Sequence, residues 1–278
     1  MILGGKAIVR KVPQPRLLLL TLDAPPGAAG WPGPLAALPG LGGWLARAAQ
    51  GAWPSGLAQA EPWASSLSAF VKNCAGMTMG LLNLPGLWPP PPLPGWCLPR
   101  PPARDARAYL AHPPEMAWEY ADLAAGLTWF AGRRPARPHE RDNRLAEAGA
   151  CAWLVREHAL RLAGERPVPW LGVGFLGLQE AWELCAPAAG NLFALLLGQI
   201  DDHAAELHRL QRPEITCLLS GAGWAILAPG ALKPGRVDHQ APDAVLALLA
   251  RAAGGPPSPT LPPALAGLLR PPESASHA

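Results

Sequence analysis

Apolar positions follow two regimes along this chain, and the change comes near residue 102. Beyond it they recur at spacings of three and four, which places them along one side of an α-helix. Leu145, Ala148, Ala152, Val155, Ala159 and Leu162 form one such stripe, and Phe193, Leu196, Ile200, His203, Leu207 and Leu210 form another. Helices are therefore predicted over Asn143–Gly164, with Asp142 or Asn143 as N-cap, and over Asn191–Leu210. Met116, Tyr120, Leu123, Leu127 and Phe130 predict a further helix over Pro114–Phe130, closed by Gly132. Shorter helices are expected at Leu176–Cys185 and Pro242–Ala253, and Glu214–Leu219 with Trp224–Ala228 reads as a hairpin.

Before residue 102 the pattern is dominated by Pro, Gly and Trp. Residues 5–23 read as two short strands, KAIVR and RLLLLTLD, joined through Pro13 and Pro15. The second run does not alternate, so as a strand it would be buried on both faces. Helical pieces fit Gly42–Ala49 and Glu61–Leu82, the latter with Pro62 at its first position. The segment WPPPPLPGWCLPRPP, Trp88–Pro102, excludes regular helix and central sheet and favours extended polyproline geometry, a natural linker. Three regions result: a Pro/Gly/Trp-rich part over 1–102, a helical domain with a short hairpin over 103–255, and a mobile tail over 256–278. The expected fold class is mainly α with a small β component (α+β), helical through its C-terminal two-thirds.

Composition adjusts this reading only slightly. Half of the 278 residues are apolar, enough to bury a sizeable core, while 36 prolines and 30 glycines account for the stretches without periodicity. A net charge of +3 is too mild to imply nucleic acid or an anionic membrane by itself. Arginines outnumber lysines 19 to 4, a bias that GC-rich coding produces, so they are not read as selected one by one. Cys74, Cys97, Cys151, Cys185 and Cys217 are scattered with no C-x-x-C, which argues against a disulfide framework or a structural zinc and for reduced thiols in a cytoplasmic setting. Basic residues precede Leu17–Leu20, yet that apolar run ends at Asp23, short of the roughly 7–15 residues of a signal-peptide core. No stretch reaches the 18 or so apolar residues of a membrane span.

Polar residues suggest two local chemistries. On the second stripe His203 and Glu206 lie three apart and share a helix face, as do Asp202 and Glu206. With His158 from the preceding helix they could hold a divalent metal or act as an acid–base pair between two helices. Against this, Glu-x-x-His is absent, a histidine on an apolar face is commonly a core residue, and Asp201, Asp202 and His208 read as a solvated flank. The loop Gly132–Arg144 carries Arg133, Arg134, Arg137, Arg141 and Arg144, which could neutralise phosphates, although Glu140 and Asp142 offset them. Gly172, Gly174 and Gly177 make a formal G-x-G-x-x-G, but Pro167 and Pro169 spoil the strand that dinucleotide binding requires, so a close-packed turn is the better reading.

The 12 tryptophans include Trp31, Trp44, Trp53, Trp63, Trp88, Trp96 and Trp118, several beside proline, a pairing that suits interface anchors and a Pro-rich core equally. The leading functional expectation is a non-enzymatic interaction or scaffold subunit of a larger assembly, a nucleoprotein among the options, with other protein subunits as partners and no cofactor. The alternatives are a helical-bundle enzyme with a metal or acid–base site around His203, and a nucleic-acid-binding subunit that uses the Arg133–Arg144 loop.

Overall fold

The computed structural model describes residues 16–23, 38–54, 61–74, 76–100, 110–118, 121, 123, 125, 141–179, 191–221, 223–255 and 260–271. Within them one sheet is formed by β1 (Leu17–Leu22), β2 (Ala49–Ala52), β3 (Met79–Leu82), β4 (Gly95–Leu98), β5 (Trp170–Phe175), β6 (Ile215–Ser220), β7 (Gly223–Leu227) and β8 (Gly235–Arg236). Its order is β4-β3-β5-β1-β6-β7-β2-β8. The first five strands in that order run parallel; β7 is antiparallel to β6 and β2, and β8 is parallel to β2.

Among the described residues six α-helices cover the sheet: α1 (Pro39–Leu45), α2 (Ala64–Asn73), α3 (Arg141–Glu165), α4 (Asn191–Gln211), α5 (Pro242–Ala252) and α6 (Pro263–Ala266). Leu18, Leu20 and Leu22 of β1 join one core with α1, α3 and α4. Leu17 and Leu19 point the other way and join a second core with α2, α5 and α6. The chain is therefore a three-layer α/β sandwich, with β1 buried on both faces as its lack of alternation predicts.

This overturns the expectation of a mainly helical chain with a small β component. The long helical stripes were legible, but they are crossover helices, and the surface they cover is a sheet. Its strands are two to six residues long and mostly buried on both faces, so they carry no period-2 signature. The expected helix over Glu61–Leu82 is instead α2 followed by β3, and Ala49 begins β2. Trp170–Phe175, expected as a glycine-rich turn, is a central strand. Pro167 and Pro169 sit just ahead of it, and the Pro169 carbonyl accepts the amides of Arg16 and Leu17. Most of the expected helices over 114–130 and 176–185, and the strand KAIVR, lie outside the described residues.

The boundary expected at residue 102 falls inside the sheet's chain path. Strand β5, from beyond it, lies between β3 and β1, from before it. Within Trp88–Pro102 the residues Gly95–Leu98 form β4, at an edge where a single ladder tolerates flanking prolines. Residues 260–271 pack against the body through buried Leu261, Leu265 and Leu268, and Leu269 bridges to Leu232. Among the described residues no helix is long and apolar enough to cross a membrane.

Candidate functional site

In open α/β sheets ligand crevices form beyond the carboxyl ends of the strands, where neighbouring connections leave to opposite faces. That condition is met between β3 and β5. The chain after β3 crosses one face, burying Leu84, Leu87 and Leu93 beside α2 and α5. The chain after β5 leads to α4 on the other face. At the point of divergence Asn83 Nδ2 donates to the Gly174 carbonyl at 2.7 Å. Asn83 has a φ of +55°, a left-handed conformation that asparagine adopts more readily than most residues. A Cβ at Gly174 would overlap the Asn83 carbonyl oxygen, so glycine is what lets the crossover touch the β5 backbone.

Several polar groups converge around this contact. Thr21, the register partner of Gly174, is buried, and among the described residues its Oγ1 has no hydrogen-bond partner. The Asn83 Oδ1 is buried and unpartnered as well. Arg100, two residues past β4, donates from Nη1 to Glu61 Oε1 at 2.6 Å, while its buried Nε and Nη2 find no acceptor among the described residues. Asp23, immediately after β1, accepts the amides of Gly177 and Leu178 at 2.8 and 2.9 Å, tying the end of β1 to the end of β5.

Burial pushes the Asp23 carboxyl up to about 6, a rise that Glu61 reinforces and that Arg100 and the two amides oppose. Asp23 as a whole is half-buried, while burial strips its carboxyl of hydration. Such a group titrates close to neutrality and can either donate or accept a proton. Buried unpaired donors and acceptors each cost about 1–3 kcal/mol, which makes this edge costly unless something completes it. The neighbouring Ser220 is differently employed: its Oγ bonds to the Gly223 carbonyl, and its own carbonyl accepts Trp53 Nε1.

The residues singled out from sequence fall elsewhere. His203 packs on Phe175, ring centroids 6.4 Å apart, and burial followed by the Arg156 charge lowers its pKa. Arg156 on α3 holds Glu206 on α4, with Nε 2.9 Å from Oε2 and a second contact from Nη2. The His158 Nδ1 is engaged by the Leu154 carbonyl of its own helix at 2.9 Å, and Asp202 is exposed. His203, Glu206 and His158 are thus engaged separately and Asp202 is exposed, and among the described residues no group of three or more His, Cys, Asp or Glu is placed to hold a metal ion.

Asp201 is not part of a solvated flank: it is 1% exposed and accepts the amides of Gly40 and Leu41 at 3.0 and 2.6 Å, capping α1. His208 is likewise occupied, with Nδ1 2.9 Å from Thr216 Oγ1. Arg133, Arg134, Arg137 and the side chain of Arg141 lie outside the described residues. Arg144 is 4% exposed and paired with Glu147 at 3.4 Å, so its guanidinium faces inward rather than onto a loop surface. Trp44, Trp53, Trp63 and Trp96 are core residues, Trp88 is half-buried, Trp118 is exposed and Trp31 is outside the described residues.

The convergence of Thr21, Asp23, Asn83 and Arg100 was missed because it depends on strand order. One local signal was present: an acid directly after an unalternating apolar run marks a strand's carboxyl end. No family model matches the chain, and no curated protein matches it. Function is therefore argued from the site itself.

Proposed function

We propose that this chain is a small-molecule-binding α/β protein whose ligand occupies the carboxyl edge of the sheet between β3 and β5. The observation that carries the proposal is the set of orphaned polar atoms at the switch point: Thr21 Oγ1, Asn83 Oδ1, and Arg100 Nε and Nη2. Their chemistry defines a complement. The two Arg100 donors call for an oxyanion or a carbonyl oxygen, and the Asn83 oxygen calls for a hydroxyl or amine donor. Asp23, poised near 6, suits a ligand hydroxyl in either protonation state. A compact hydroxy acid or polyhydroxylated molecule satisfies all of them.

The test is a thermal-shift panel of hydroxy acids, sugars and amino acids on the full chain and on Asp23→Asn and Arg100→Gln. One chemical class is expected to raise the melting temperature of the parent and to lose its effect in both variants. An absence of shifts across the panel, or shifts equal in the variants, overturns the proposal.

A second reading, an interaction subunit, draws support from a different observation. Trp118, Leu195 and Trp153 are 88%, 67% and 49% exposed, more apolar surface than isolated side chains of this size normally leave to water. It predicts self-association or co-purification of another chain that Trp153→Lys weakens. A strictly monomeric parent purified alone counts against it.

A further inference from the structure

At the opposite end of the strands, where β6 begins and β7 ends, lies a cavity of about 430 Å³. Two arginines far apart in sequence line it. Arg47 is held by its Nε on the Gly43 carbonyl at 3.2 Å, and Arg270 by its Nε on the Leu232 carbonyl at 3.1 Å. Main-chain carbonyls fix both side chains without neutralising either charge. Among the described residues the one acid lining the cavity, Glu214, is already engaged by Arg16 at 3.2 Å.

His208 and Thr216 add hydrogen-bonding capacity to the same wall. The His208 ring packs on Trp44, centroids 4.6 Å apart, and its Nδ1 bonds to Thr216 Oγ1, leaving Nε2 without a hydrogen-bond partner among the described residues. Burial and the nearby Arg47 charge lower the His208 pKa, so near neutral pH the imidazole supplies a hydrogen bond and the arginines supply the charge.

We infer that this cavity binds a small organic anion, its oxyanion head held between Arg47 and Arg270 and its apolar body against Leu227, Leu232 and the surrounding prolines. Guanidinium forks match the two-oxygen geometry of carboxylates and phosphates. The volume lies within the roughly 300–1,000 Å³ range of sites that enclose whole small molecules, so a bare ion would leave most of it empty.

Isothermal titration of the full chain at constant ionic strength tests this with phenyl phosphate and benzoate as probes, and with inorganic phosphate and benzyl alcohol as partial ligands. At least one aromatic anion binds saturably and more tightly than either partial ligand. Which of the two binds better identifies the head group. Losing one charged partner in Arg47→Gln weakens that binding about tenfold or more, and Arg270→Gln does likewise. Arg47 is exposed, so R47Q tests the site even if R270Q loosens the C-terminal segment. The inference is overturned if neither aromatic anion saturates, if R47Q binds as the parent does, or if benzyl alcohol binds equally well.

Discussion

Asp23 makes a pH-dependent contribution to stability whose sign and size follow from its surroundings. Its carboxyl titrates near 6 in the folded chain against an ordinary value of 3.8, chiefly because burial disfavours the charge. The folded state thus binds this proton more tightly than the unfolded state does. The contribution is complete below about pH 3.8 and is lost as pH rises through about 6, reaching at most about 3 kcal/mol. Asp23→Asn removes the titration. It also weakens one of the two amide contacts to Gly177 and Leu178, at a cost that is constant with pH.

Urea unfolding of parent and variant at pH 4, 5, 6 and 7 isolates the effect, because every other carboxylate cancels in the difference. Relative to the variant, the parent should lose about 2.4 kcal/mol between pH 4 and pH 7, most of it between pH 4 and pH 6. A difference that stays flat within about 0.5 kcal/mol would refute the account of Asp23 as a desolvated acid, and with it the reason for placing a ligand hydroxyl against it.

Asp201→Ala should cost about 2–4 kcal/mol in urea unfolding, since it removes a buried carboxylate that accepts two amides at the start of a glycine-rich helix. Gly174→Ala should cost about 1–3 kcal/mol by forcing Asn83 off β5, and backbone chemical-shift changes should centre on residues 83 and 174. Cys74, Cys97, Cys151 and Cys217 are buried, with the Cys97 thiol pushed up to about 12, so a colorimetric thiol reagent should find at most one fast-reacting cysteine before denaturation and five after.

Local pattern revealed the helices and concealed the sheet that gives them their function. The stripes of α3 and α4 were legible because twenty or more residues repeat one spacing. Strand β1 was legible because a run of leucines without polar alternation has few other uses. Strands β3, β4 and β5 were hidden because Met79–Leu82, Gly95–Leu98 and Trp170–Phe175 are short and carry glycines or adjoin prolines, cues that locally read as turns. The glycines in β5 are understood only through the crossover that presses on them. Within the candidate site, Asp23 alone had a sequence signal. Asn83 and Arg100 acquire meaning from strand order, which brings the ends of β1, β3, β4 and β5 together. His203 illustrates the converse: it was correctly placed on an inward face, but its neighbour is the Phe175 ring.

The interleaved sheet also dictates how this chain comes off the ribosome. Leu17–Leu22 emerges well before its partners, and both of its hydrogen-bonding edges are closed only by Trp170–Phe175 and Ile215–Ser220. At synthesis rates of roughly 5–20 residues per second, an apolar strand with two open edges waits on the order of ten seconds or more for its partners. During that interval it is a template for pairing with neighbouring nascent chains. Expression yield should therefore be set less by final stability than by how well that early strand is shielded, by a chaperone or by low translation density.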